Sequence, residues 1–152
     1  MIVSFLGIII TLLSGFAAAV DNTDYASGSG ASIVAVAVQE IGYHEGAGNH
    51  TKYGVYTGTD GMSWCHAFVS WCANECGFIE SNIIPKTAAC ETGRQWFIHK
   101  QQYQKAGSYT PQAGDIIYFD KGGVGESHHV GIVEYVENGI VHTIEGNKNN
   151  QV

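Results

Sequence analysis

The hydrophobic pattern of this chain changes period near Pro111. Before it, Cys65, Phe68, Val69, Cys72 and Cys76 recur at the i, i+3, i+4, i+7, i+11 spacing of one helix face. Gly77 follows, a residue suited to ending a helix in the left-handed conformation. After Pro111, Asp115–Asp120 (DIIYFD), His129–Val136 (HVGIVEYV) and Ile140–Glu145 (IVHTIE) are β-branched and aromatic runs separated by turn residues. Helices followed by antiparallel strands predict an α+β domain.

Gly61, Met62 and Ser63 precede the helical run, so Cys65 is expected in the first turn. The unpaired N–H groups and the positive dipole end there stabilise an anion, and thiolates at helix starts have lowered pKa values. Cys65 is therefore either a nucleophile or, as free cysteines usually are, a small buried hydrophobe. The periodicity does not separate the two; a nucleophile needs a base from elsewhere in the chain.

At 152 residues the chain holds one domain, large enough to bury a core. Its net charge of −7 argues against nucleic acid, which wants a basic surface, and against electrostatic docking on an anionic polymer. The four cysteines suffice for two disulfides in an oxidising compartment, but a working thiol at Cys65 leaves at least one of the other three unpaired. Cys72 and Cys76, one turn apart on the buried face, read as packing. No Cys-x-x-Cys pair suggests zinc, no run of oxygen ligands suggests calcium, and Gly122–Gly125 lacks the setting of a phosphate loop, so no metal or other cofactor is expected.

Residues 1–20 are apolar and are expected to be a secretory signal, with Ala17–Ala18–Ala19 at the cleavage site, or an uncleaved membrane anchor. Either places the domain outside the cytoplasm. Residues 21–31, polar and Gly/Ser-rich, read as a flexible linker, leaving 32–152 as the domain. Ser32–Ile41 is expected to be a helix, Tyr43–Asp60 a loop, and Phe78–Ala89 an irregular connection barred from regular structure by Pro85. Thr92 is expected to cap a short helix carrying Trp96, Phe97 and His99.

Asn138–Gly139 between two strand-like runs is the strongest hairpin signal. A two-residue loop pairs Glu137 with Ile140 and turns Glu145 and Asn147 away from His129. A three-residue loop, Glu137–Asn138–Gly139, instead sets His129 opposite Asn147 and Glu145 opposite Gly131 on the same face. The second register is the expected one, because it gives an imidazole base a carboxylate or amide to orient it. His66 points about 100° away from Cys65 around the helix, and with His99 and His142 it reads as a bystander.

These segments together resemble the CHAP family, the cysteine, histidine-dependent amidohydrolases/peptidases. Trp64–Ala73 (WCHAFVSWCA) resembles its nucleophile motif and Pro111–Phe119 (PQAGDIIYF) the strand before its histidine loop. Ser127–Val133 (SHHVGIV) resembles its histidine motif and Thr143–Asn147 (TIEGN) its last catalytic strand. Ile41–Gly42–Tyr43 and Asn49–Gly54 match the upstream segment, so the likeness covers roughly Ser32 to the end. It implies a papain-like fold, N-terminal helices packed on an antiparallel sheet, with Cys65 as nucleophile, His129 as base, and Glu145 and Asn147 orienting the imidazole. Of the doubled His128–His129, motif alignment and strand parity both select His129. Domains of this family continue through one or two further strands, so the end at Val152 implies a truncated C-terminus or a missing sheet edge.

The activity implied is hydrolysis of amide bonds in peptidoglycan, as an N-acetylmuramoyl-L-alanine amidase or a cross-bridge endopeptidase acting on stem or bridge peptides. The alternatives are an NlpC-type stem-peptide endopeptidase and a catalytically silent wall-binding or assembly module. Tyr53 is expected to supply a second oxyanion donor and Trp64 to wall the substrate groove.

Overall fold

The computed structural model describes residues 2–3, 30–120, 122 and 125–152. Apart from Ile2–Val3, the expected signal or anchor lies outside the described residues, as do residues 21–29 of the expected linker. Among those described, no helix is long and apolar enough to cross a membrane.

Among the described residues, four helices precede the long strands of the sheet: α1 (Gly30–Gln39), α2 (Lys52–Thr57), α3 (Cys65–Glu75) and α4 (Cys90–His99). The sheet's long strands are β3 (Ile116–Asp120), β4 (Ser127–Glu137) and β5 (Ile140–Ile144), all antiparallel. Two-residue strands β1 (Ile2–Val3) and β2 (Tyr103–Gln104) extend one side, giving the order β2-β1-β3-β4-β5. The fold is α+β, with α1, α3 and α4 all packed against β4.

The α3 face that carries the apolar rhythm is buried as its spacing predicts: Cys65, Phe68, Val69 and Cys72 join Ile116, Tyr118, Val130, Ile132 and Ile144 of the sheet in one core. Gly77 ends the helix region at φ +73°, a conformation that costs glycine nothing. Gly93 and Gly146 serve close approach instead. A Cβ on Gly146 would come within 2.5 Å of Phe68 Cβ, so the glycine lets the chain after β5 press onto α3.

Four expectations need correction. Residues 43–60 are not all loop, because α2 lies within them. The Thr51 side chain accepts from Gly54 N at 2.9 Å, and Gly58 closes the helix at φ +76°, the N- and C-terminal cap chemistry of a longer helix packed into six residues. Helix α1 begins at Gly30, so the last two residues of the expected linker are helical. Helix α4 starts at Cys90, two residues before the expected Thr92 cap, and its N-cap Ala89 makes no side-chain cap bond. All four cysteines are free.

The fourth correction is the hairpin. Glu137 pairs with Ile140, so the loop is the two-residue Asn138–Gly139 with both φ positive, +51° and +77°, as a primed turn requires. The ladder then slips between Val133 and Tyr135, leaving Glu134 as an extra residue in β4, and continues as Val133↔Thr143 and Ile132↔Ile144. That bulge adds the residue that the turn lacks. Beyond it, Gly131 stands opposite Glu145, the juxtaposition for which a longer loop had been expected.

Residues 150–152 return to the segment after α1. Gly42 N donates to Val152 O at 3.1 Å, Val152 N to Tyr43 O at 3.0 Å, and Glu45 N to Asn150 O at 3.1 Å.

Candidate active site

Cys65 is the first residue of α3, one of the positions whose N–H has no partner inside the helix. Its side chain is 6% exposed. The Cys90 sulfur lies 3.3 Å from the Cys65 sulfur, and the His129 imidazole on β4 is near enough to act on the thiol's acidity. The Cys65 thiol is held down to about 4, first by the hydrogen bond from Cys90 and then by His129, against the opposing effect of burial.

His129 Nε2 donates to Glu145 Oε2 at 2.6 Å, which leaves Nδ1 as the ring nitrogen for Cys65. The thiolate, and after it Glu145, raise His129 to about 9. Glu145 is itself held from two sides: Thr143 Oγ1 donates to Oε1 at 2.7 Å, and Lys148 Nζ lies 3.3 Å from Oε2. Hydrogen bonding from His129 is the first cause that lowers its carboxyl to about 2. Gly131 makes the reach possible, because a Cβ there would stand 2.8 Å from Glu145 Cγ.

Asn147, at φ +60°, lines with His129 an open cleft of about 580 Å³ whose other walls include Phe119, Asp120, His128 and Lys148. The cleft thus brings Asn147 beside the imidazole, while the bond to Nε2 is made by Glu145. His128 is exposed at the cleft.

Tyr53 and Trp64, expected at the substrate groove, are in the core instead. Both are fully buried, with ring centroids 5.3 Å apart in a stacked arrangement. The Tyr53 hydroxyl donates to Glu40 at 2.5 Å and the Trp64 indole N–H to Glu45 at 2.7 Å. Each polar tip is satisfied inside the protein, as buried Tyr and Trp require, so neither presents a donor to the cleft.

Two residues of the site's surroundings were not singled out by sequence reasoning. Cys90 is one. Glu91 is the other: its Oε2 accepts from Ser127 N at 2.8 Å, fastening the start of α4 to the start of the strand that carries His129. The same carboxylate takes a bidentate pair from Arg94 at 2.6 and 2.8 Å, which is the main reason its pKa falls to about 2. No local spacing marks either residue, since both act across elements.

His66 is no part of the cleft. Its Nδ1 donates to Thr87 O at 3.0 Å and its Nε2 accepts from Tyr118 OH at 2.9 Å. Burial holds it neutral. Ser70 Oγ also donates to Thr87 O at 2.7 Å and accepts from Thr87 N at 3.0 Å. Together these bonds dock the connection before α4 onto α3 and so bring Cys90 to Cys65. Among the described residues, no group of three or more His, Cys, Asp or Glu is placed to hold a metal ion.

The CHAP domain family model matches residues 57–147, more than half of the chain. No curated protein and no solved structure matches. The matched span runs from the end of α2 through Asn147 and contains Cys65, Cys90, His129 and Glu145.

Proposed function

The chain belongs to the CHAP domain family, and from that premise we propose that it is a cysteine-dependent hydrolase of amide bonds in bacterial peptidoglycan. The observation that carries the proposal is the His129–Glu145 hydrogen bond at 2.6 Å beside the Cys65 thiol at the start of α3, with His129 acting on that thiol's acidity. Cys65 as thiolate attacks the amide carbonyl, and the His129 imidazolium protonates the departing amine. Water then hydrolyses the thioester with His129 as base. The free N–H of Cys65 is an oxyanion donor, a contribution of about 3 kcal/mol in comparable sites. Asn147, on the cleft wall, is assigned to positioning. The domain acts outside the cytoplasm, on stem or bridge peptides.

The test is to incubate the purified protein with isolated cell walls and identify the released fragments by mass spectrometry. Cleavage next to N-acetylmuramic acid identifies an amidase, and cleavage within the cross-bridge an endopeptidase. Walls left without any newly exposed amine overturn the proposal.

Two predictions follow from the electrostatics. With Cys65 held down to about 4 and His129 up to about 9, the thiolate–imidazolium pair persists between those values. Below the lower one Cys65 takes up its proton and cannot attack; above the upper one His129 loses the proton that the leaving amine needs. A pH profile of kcat/KM on a soluble wall fragment should therefore plateau across neutrality, with limbs near those ends; a sharp optimum at pH 7 contradicts it.

Glu145→Gln retains an acceptor for Nε2 but removes the charge beside the imidazolium. It should lower kcat/KM roughly 10²-fold, the usual scale for impaired acid–base catalysis, and move the alkaline limb downward. An unchanged alkaline limb separates Glu145 from the chemistry.

A further inference from the structure

Cys65 and Cys90 are both free, both buried (6% and 8% exposed), and 3.3 Å apart at their sulfurs. One S–H donates to the other sulfur, and the surroundings decide which. Cys65 has a base, His129, to receive its proton. At Cys90 the neighbouring Cys65 thiolate, and after it burial, oppose a second negative charge, and Glu91 beside it on α4 opposes it further. The proton therefore stays on Cys90.

We infer that Cys90 is a positioning residue of this site, whose thiol donates a hydrogen bond to the Cys65 sulfur and thereby holds it as the thiolate in the resting protein. The inference rests on the cysteine-hydrolase reading above and adds to it a residue outside the nucleophile, base and orienting carboxylate. A donor to a charged acceptor is about twice as strong as one between neutral groups, and here water is largely excluded, so the bond is not in competition with solvent.

The position of Cys90 is over-determined. It is the first residue of α4, whose start is fixed to α3 through Thr87 by His66 and Ser70, and to β4 through Glu91 and Ser127. The other titratable groups around the sulfurs are His129 from β4, Tyr118 from β3, His66 on α3, and the Glu91–Arg94 ion pair on α4. Tyr118 and His66 are both kept neutral by burial. His129 remains in every Cys90 variant, so the variants isolate the contribution of the thiol.

The test is the rate of Cys65 alkylation by iodoacetamide as a function of pH, read by peptide mass spectrometry that separates Cys65 from Cys90. The parent is compared with Cys90→Ala and Cys90→Ser. Cys90→Ala should move the midpoint for Cys65 upward by at least about one unit, a tenfold slower alkylation on the acidic limb. Cys90→Ser, which keeps an O–H donor, should recover most of that loss. If Cys90→Ala unfolds the chain, Cys90→Val, apolar and without a donor, takes its place. Equal midpoints in the parent and the donorless variant overturn the inference. So does a serine variant that behaves like alanine, because a packing role treats the two alike. The measurement uses no substrate, so an inactive protein with the expected shifts refutes the hydrolase reading and not this one.

Discussion

Cys65→Ala should lower wall hydrolysis by roughly 10⁵-fold or more, the scale seen when a covalent nucleophile is removed from a working catalytic group. The alanine keeps the backbone N–H at the start of α3, and His129 keeps Glu145, so only the attacking atom is lost. Cys65→Ser should be almost as inactive, since a hydroxyl at that position has no comparable acidity for His129 to exploit. Folding should persist in both, because the change removes or replaces one atom in a core otherwise held by Phe68, Val69, Ile116 and Ile132. The measurement is release of soluble fragments from isolated walls, paired with a thermal melt. Undiminished release by a folded Cys65→Ala protein eliminates the thioester mechanism.

Gly93→Ala should cost the most stability of any one-carbon change near the site. Gly93 lies inside α4, where alanine ordinarily stabilises by about 1 kcal/mol. Sterics reverse the sign. The new Cβ would stand 2.0 Å from His66 Nε2 and 2.6 Å from Tyr118 OH, both buried and bonded to each other. His66 cannot swing away without surrendering Thr87 as well. Overpacking costs about 1–3 kcal/mol and a buried polar group left without its partner a similar amount. The sum, about 2–6 kcal/mol, corresponds to a fall in Tm of roughly 10 °C for a chain of this length. Gly93→Ala combined with Tyr118→Phe should regain part of it by removing one of the three clashing atoms. A melting temperature equal to the parent's shows that α4 can shift, and that Cys90 is held less firmly than its bonds to α3 and β4 require.

The helix carrying Cys65 was legible because its apolar rhythm runs for three turns and ends at a glycine. Helix α2 was not, because six residues are too few to show a period, and the burial that stabilises it belongs to Tyr53 stacking on Trp64 across the chain. The same fact explains why Tyr53 and Trp64 were expected at the groove. An aromatic beside a nucleophile has the same appearance in sequence whether its polar tip faces a substrate or, as here, Glu40 and Glu45. Thr92 had the chemistry of a cap, but α4 starts earlier because Thr87 is tied to α3 and Glu91 to Ser127; contacts made between elements leave no local trace. The face shared by His129 and Glu145 was read correctly from a loop of the wrong length, since the residue missing from the turn reappears as Glu134.

That bulge also divides the hairpin into two halves whose lengths are free to change independently. Val133↔Thr143 and Tyr135↔His142 are already in register on either side of Glu134, so omitting this one residue makes them neighbouring rungs and leaves Ile132↔Ile144, and with it His129 and Glu145, where they are. Val133 remains inward and Tyr135 outward, as alternation demands. For a lineage, that makes the tip beyond Glu134 permissive ground: turns can be shortened, lengthened or replaced there by drift, while the same one-residue change between Gly131 and His129 exchanges the faces of the strand and separates the imidazole from its carboxylate.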